Sequence, residues 1–297
     1  DPDRPDVPDN PDDPNIPGVT ELIQPGEIII NELLPDPYAG GSEYIELYNR
    51  SEHALSLSAL SLAIRKSDGT LSTRYPLTSV PHNLKAKGYL LLTKNLEGVT
   101  SFYDIADLSA LCELSKLPIL ANTSSTLALL RTADKIVIDE VAYSSKWHAH
   151  SVKNVKGVAL ERIDPDAATQ DEANWTSASE TAGCGTPGYQ NSQYKNASSG
   201  DATGIEPPVW IEESGSYTVS YLLDRPGYSC RAFVFNTSGL RVAEISNHEL
   251  LGISGKIIWS GIANNGSPLQ AGIYIFYAEI YHPEGMVKRF KKAFLIR

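Results

Sequence analysis

The chain has 297 residues, 41% of them hydrophobic, enough to fill the cores of two ordinary domains. Its formal net charge is −11 and its sequence pI about 5.0, which argues against a nucleic-acid partner, since binding phosphate needs a basic face, and against docking on anionic lipid. The three cysteines, Cys112, Cys184 and Cys230, cannot all pair internally and fit no metal-ligand spacing, so they read as buried or incidental thiols rather than a disulfide scaffold. No run of residues reaches the roughly 18 apolar positions of a membrane span. There is no signal peptide and the only methionine is Met286, so the expectation is a mature or trimmed form of an exported protein, with any membrane anchor lying outside this chain.

The first eighteen residues are a three-residue repeat, with Pro at 2, 5, 8, 11, 14 and 17 and Asp at 3, 6, 9 and 12. Polyproline II turns every three residues, so prolines line one edge and acids another, and a chain lacking amide donors and repelling itself cannot join a core. We read residues 1–26 as an extended, solvated spacer. From 27 to about 190 the pattern is strand-like, with candidate strands at 27–34, 43–49, 57–65, 89–94, 126–131, 135–143 and 157–163. Ser67-Asp68-Gly69 supplies turn chemistry after the third of these. The stretch 102–118, rich in Leu, Ala and Ser and closed by Pro118, suits one or two short helical turns. The alternation of strand and helix that marks a parallel sheet is missing from the pattern.

Residues 191–205 are small and polar and read as a linker. Strand patterns resume at 208–212, 216–224, 229–236, 240–245, 255–260, 272–281 and 286–296, separated by turns such as Asn264-Asn265-Gly266. In the last strand Phe290, Phe294 and Ile296 share a face interrupted by Lys292, a known guard against edge-to-edge aggregation. The expected fold class is therefore all-β: two immunoglobulin-like β-sandwiches in tandem, residues 27–190 and 206–297, behind an extended Pro/Asp tail.

Specific motifs sharpen this expectation. Ile30-Asn31-Glu32 and Glu43-Tyr44-Ile45-Glu46-Leu47-Tyr48-Asn49 open the first domain; Leu160-Glu161-Arg162, Asn174-Trp175 and Gly185-Thr186-Pro187-Gly188 with Asn191 close it. This order of motifs resembles bacterial lamin tail domains, and the resemblance implies an immunoglobulin-like, surface-exposed, non-catalytic module. The second domain carries Ser238-Gly239, Ile258-Trp259-Ser260-Gly261, Asn265-Gly266 and Gly272-Ile273-Tyr274. These resemble the immunoglobulin-like module of flagellar hook-capping proteins, although Asn236 and Ser260 stand where that pattern usually has acids. Trp175 and Trp259 are expected as core plugs, because large aromatics dominate core energetics.

Catalytic patterns fail one by one. His248-Glu249 lacks the second histidine of a zinc-protease helix, His148 and His150 have no evident third ligand, and Ser192–Lys195 matches Ser-x-x-Lys outside a helix start. Carboxylates remain. Glu32 and Glu46 are expected to accept amide hydrogen bonds that fix the first loop. Asp36, Glu43, Asp164 and Asp166 are the weak metal candidates, and calcium is the cation such oxygen-rich loops would take, although the Asp-x-Asp-x-Asp-Gly pattern is missing. The resulting expectation is a non-enzymatic, exported binding, adhesion or scaffold protein, without a required cofactor, whose partner is a protein or glycan of the cell envelope. Accessory modules for export or anchoring, and a divalent-cation hydrolase working through the acidic loops, are the alternatives.

Overall fold

The computed structural model describes residues 22–80, 83–195, 200 and 202–296; the expected Pro/Asp spacer falls almost wholly outside them. Among the described residues the fold is β throughout, relieved by short 3-10 turns and one α-helical turn at Glu97–Thr100. No helix among them is long and apolar enough to cross a membrane.

The first sandwich contains β1 (Ile28–Leu34), β2 (Tyr44–Asn49), β3 (Leu60–Arg65), β4 (Tyr75–Pro76), β5 (Tyr89–Thr93), β6 (Leu111–Glu113), β7 (Ser124–Arg131), β8 (Val137–Ser144), β9 (Leu160–Arg162) and β10 (Trp175–Ser177). One sheet runs β10-β9-β1-β2-β5-β6, the other β4-β3-β7-β8. All pairings are antiparallel except β5 with β6. The period-two alternation of β-strands places Ile28, Ile30, Ile45, Leu47, Leu90 and Leu92 of the first sheet against Leu60, Leu62, Leu127, Leu129, Ile138 and Val141 of the second, in one buried cluster. The first sheet is also covered on its outer face, where Leu34, Tyr44 and Leu91 pack with Val99 and Tyr103. That is why β1 is buried at every position and reads as a continuous apolar run rather than an alternating one.

The second sandwich contains β11 (Gly204–Ile205), β12 (Val209–Ile211), β13 (Ser216–Leu222), β14 (Ser229–Phe235), β15 (Arg241–Leu250), β16 (Ser254–Trp259), β17 (Gly272–Tyr281) and β18 (Val287–Ile296). In one sheet β13 pairs with β11, β12 and β16; the other runs β15-β14-β17-β18. Val219, Tyr221, Ile257 and Trp259 meet Ala232, Val234, Phe276, Ala278 and Phe294 in its core. Lys288 points inward from β18, where Nζ reaches Asp224 Oδ1 at 2.8 Å.

Several boundaries differ from the sequence expectation for physical reasons. The stretch 57–65 begins as a 3-10 turn over Leu57–Ala59 before β3 extends. The strand expected at 240–245 continues to Leu250, because bulges against β14 absorb its irregular polarity. In 102–118 the structure has a 3-10 turn at Leu108–Ala110 followed by β6, while the α-helical turn lies earlier, at Glu97–Thr100. The stretch read as a linker, 191–205, is not free over its described length. Asn191 and Gln193 are buried, and β11 pairs with β13.

Candidate functional site

Three glutamates stand side by side on the outer face of the first sheet. β9, β1 and β2 are neighbours, and their register sets Glu161 opposite Glu32 and Glu32 opposite Glu46. A bulge between Ile30 and Glu32 lets Asn31 reach the same covering segment that Glu32 reaches. All three glutamates are fully buried. Like charges opposed across strands are unfavourable, so the row needs donors and protons.

The closing motif of the domain supplies the donors. The Thr186 amide donates to Glu32 Oε1 at 3.0 Å and the Gly188 amide to Glu46 Oε2 at 2.6 Å. Ser192 Oγ and the Gln193 amide both donate to Glu161 Oε2 at 2.9 Å. Asn191 Nδ2 donates to the carbonyls of Asn31 and Arg162, and Asn31 Nδ2 donates to Asn191 Oδ1 at 2.6 Å. Tyr44 completes the cage from β2, its hydroxyl donating to Glu32 Oε1 at 2.5 Å.

Burial raises the affinity of the row for protons, and the charge of Glu32 adds to it at Glu46 and Glu161. Glu161 is pushed up to about 8. The geometry assigns its proton. Thr186 Oγ1 lies 2.7 Å from Glu32 Oε2 and 3.0 Å from Glu161 Oε1, but a hydroxyl has only one hydrogen to give. Thr186 therefore donates to Glu32, which with three donors is the ionised member, and accepts from a protonated Glu161. The row is a latch between sheet and closing segment. It has no substrate access and no open coordination position.

The neighbouring Arg162 faces the other way and ties the two sheets together. Nη2 reaches Asp139 Oδ2 on β8 at 3.1 Å and Thr169 Oγ1 at 2.8 Å, and Nε donates to the Ile30 carbonyl. Its guanidinium lies over the Trp175 ring, 5.0 Å from the centroid. Trp175 is 3% exposed and donates Nε1–H to the Thr169 carbonyl; Trp259 is 7% exposed and donates to the Ile262 carbonyl.

The four acidic loop residues are not gathered into one constellation. Asp36 accepts from Lys156 Nζ and Asn122 Nδ2, both at 2.9 Å. Glu43 accepts the Leu120 amide. Asp164 caps its own turn by accepting the Asp166 amide, and Asp166 faces Arg50 at 3.8 Å. Among the described residues no group of three or more His, Cys, Asp or Glu is placed to hold a metal ion.

The closing segment also joins the two sandwiches. The Ser192 carbonyl accepts the Ile253 amide at 2.8 Å, Gln193 Nε2 donates to the Leu251 carbonyl, and Glu180 Oε2 accepts the Leu250 amide. The hydroxyls of Thr181 and Tyr221 meet at 2.6 Å. Gly252 is required here, because a Cβ at that position would lie 2.6 Å from the Ser192 carbonyl oxygen.

Beside this joint lie two cavities walled by both sandwiches, of about 440 and 730 Å³. On one side is the loop 146–158, pinned by Gly157, whose amide donates to the Asp36 carbonyl and whose left-handed backbone (φ +75°) admits the Tyr38 ring against it. On the other side are the β14–β15 and β17–β18 ends, with His248, Tyr281 and His282. Sequence reading set His148, His150 and His248 aside as metal or protease residues, the first two as an exposed loop pair, and missed this cleft. The one available signal was the run 141–160, which carries three lysines and two histidines and no acid in a chain of charge −11.

Residues 23–145 match the family model of the Lamin Tail Domain. No curated protein matches. Among solved structures, the chain is similar to dimeric latent PorU from Porphyromonas gingivalis, with 14% identity over 95% of this chain and 21% of that one, at a TM-score of 0.26. It is also similar to PorZ, a surface component of the type-IX secretion system of the same organism, with 11% identity over 88% of this chain and 29% of that one, at 0.23. A third similarity is to the exo-chitosanase CsxA of Amycolatopsis orientalis, with 12% identity over 84% and 25% of the two chains, at 0.21. The chain thus spans between 21% and 29% of the length of these three structures. The first sandwich of this chain therefore carries a lamin tail domain match, an immunoglobulin-like fold, and the match stops short of the second sandwich.

Proposed function

We propose that this chain is a non-catalytic binding module of an exported protein, in which two immunoglobulin-like sandwiches are locked together to present one composite surface to a protein or glycan of the cell envelope. The observation that carries the reading is the joint itself. Main-chain and side-chain hydrogen bonds between Glu180, Ser192 and Gln193 and residues 250–253 fix the second sandwich on the first. Such a joint is unneeded for two modules that act separately. It is suited to a surface that both must share. The lamin tail domain match supports the non-catalytic part, and the hook-capping resemblance of the second sandwich belongs to the same proposal.

The test combines cell fractionation with capture from an envelope extract and a glycan array, using the full chain as bait. Surface localisation with retention of an envelope component is expected; cytoplasmic localisation would count directly against the reading. The basic outer row of β18, with exposed Arg289 and Lys291, favours a second reading as an export or anchoring label. Deleting 206–297 separates the two. Lost surface display supports labelling, and retained display with lost capture supports the composite surface.

A further inference from the structure

The two cavities between the sandwiches are neighbours. The consecutive residues His150 and Ser151, and again Tyr281 and His282, each line one of the pair. Both volumes fall in the range of about 300–1,000 Å³ that small-ligand sites occupy. Each cavity draws walls from both sandwiches, so its shape depends on the joint described above.

The lining has a definite chemistry. In the first cavity the half-buried Trp147 stacks on Trp175, with ring centroids 6.1 Å apart at 29°. His148 Nδ1 and the Ala149 amide both meet Ser177 Oγ, at 2.8 and 3.0 Å, so the loop that carries Trp147 is held in place without a ligand. Burial holds the His148 imidazole down at about 4, which keeps that anchor neutral. In the second cavity Tyr38 lies against Gly157, and Tyr281 hydrogen-bonds His248. Of the four non-glycine residues with left-handed backbone among the described residues, two line this cavity: Cys184 (φ 69°) and His248 (φ 67°). His248 is the extra residue of a bulge between the Cys230–Glu249 and Arg231–Asn247 pairs, which turns its imidazole toward Tyr281. Costly backbone held in this way collects at functional sites.

Charge completes the picture. Lys146, Lys153 and Lys156 border the cavities, and the run that carries them has no acid. Lys156 is taken by Asp36. Of the acids at the walls, Glu180 is turned to the joint, where it accepts the Leu250 amide, and Glu172 is an exposed residue of a 3-10 turn. Half-buried aromatic rings suit the apolar CH faces of sugar rings, polar side chains between them suit hydroxyls, and the lysines suit carboxylates.

We propose that this cleft is a binding site for an acidic oligosaccharide whose sugars carry carboxylates, of the uronic-acid class. The inference rests on the binding-module reading and assigns its ligand and its place. A peptide fits less well, because peptide recognition uses an open strand edge or apolar side-chain pockets, and this cleft is walled largely by loop and turn residues.

The experiment is calorimetric titration of the full chain with oligogalacturonates, with neutral cello-oligosaccharides of equal length, and with poly-glutamate. Oligogalacturonate is expected to bind, more weakly as salt rises. Trp147→Ala should reduce affinity at least about tenfold, the loss of a buried aromatic anchor. Because Trp147 also packs on Trp175, a double variant, Lys146→Ala with Lys153→Ala, is measured beside it. Both lysines are exposed, and the double variant should lose affinity and most of the salt dependence while keeping the unfolding midpoint. Trp210→Ala, on an exposed ring of the other sandwich face, should bind as the parent does. Absence of oligogalacturonate binding, equal binding of the neutral sugar, preference for poly-glutamate, or binding indifferent to both cleft variants would each overturn the assignment. A chain that captures an envelope protein yet ignores every sugar would overturn the cleft proposal and leave the binding-module reading standing.

Discussion

Replacing Glu161 with Gln tests the latch directly. In the folded chain burial pushes this carboxyl up to about 8, whereas an unfolded glutamate titrates near 4.3. Between those values the folded state binds a proton that the unfolded state does not, so stability is fully present at low pH and is lost as pH rises toward 8. The loss is about 1 kcal/mol per pH unit near neutrality, and about 3 kcal/mol between pH 5 and pH 7.5. His148, held down at about 4, works in the opposite sense, adding stability as pH rises from about 4 to about 6.5. The better window is therefore pH 6.5 to 7.5, where the His148 contribution fades and, being present in parent and variant alike, cancels from their difference. A glutamine keeps the acceptor for Ser192 Oγ and the Gln193 amide and offers an N–H to Thr186 Oγ1, imitating the protonated acid. Denaturant unfolding, followed by tryptophan fluorescence at a series of pH values, should show Glu161→Gln gaining on the parent by about 1 kcal/mol per pH unit across that window. Parallel profiles would show that Glu161 is ionised in the fold and that the assignment of its proton to Thr186 is wrong.

Arg162→Met should cost about 3–5 kcal/mol in the same assay, because it strands Asp139 beneath the sheets without its cation. Arg162→Lys should recover only part of that, since an ammonium cannot serve Asp139, Thr169 and the Ile30 carbonyl at once. Gly252→Ala should weaken the joint by about 1–3 kcal/mol, since its Cβ would meet the Ser192 carbonyl oxygen at 2.6 Å. Calorimetry should then resolve two unfolding transitions, and an unchanged single transition would refute the tight joint. Gly157→Ala forces a Cβ into the Tyr38 ring at 2.2 Å on a left-handed backbone. We expect it to destabilise the first sandwich by about 1–3 kcal/mol and to expose the 146–158 loop to protease. Unchanged proteolysis would show that the loop is not held from Gly157.

The all-β fold was legible because the long strands carry it in their own residues. The strand at 272–281 alternates by two and was placed to the residue, and Ser67-Asp68-Gly69 marks a turn in which Asp68 Oδ1 takes the Thr70 amide. What escaped was set by tertiary contact. β6 and β10 have three residues each, too few to show a period, and exist because β5 and β9 offer them edges. Ser192 and Gln193 look like linker by composition, yet they serve a buried carboxylate that lies thirty-odd positions away in sequence. The motifs at 30–32, 43–49, 160–162 and 185–191 were visible as separate signatures. Their common cause, one row of glutamates under one covering segment, was not visible, because register across three strands is absent from a linear pattern.

That covering segment gives the molecule its logic. Residues 179–193 hold the glutamate row with Thr186, Gly188 and Gln193, and hold the second sandwich with Glu180, Ser192 and Gln193. Ser192 and Gln193 do both at once. Ser192 gives its hydroxyl to Glu161 and accepts the Ile253 amide on its carbonyl, and Gln193 gives its amide N–H to Glu161 and its side-chain N–H to the Leu251 carbonyl. A change that ionises Glu161 therefore acts on a residue pair that also sets the pose of the second sandwich, and with it the width of the cleft between Trp147 and His282. Coupling of this kind requires a shared element that both ends bias, and here it is two adjacent residues. It follows that Glu161→Gln, at a buried position that lines neither cavity, should flatten any pH dependence of oligogalacturonate affinity between pH 6.5 and 7.5 without abolishing binding. A variant that keeps the parent's pH dependence would show that latch and cleft act independently.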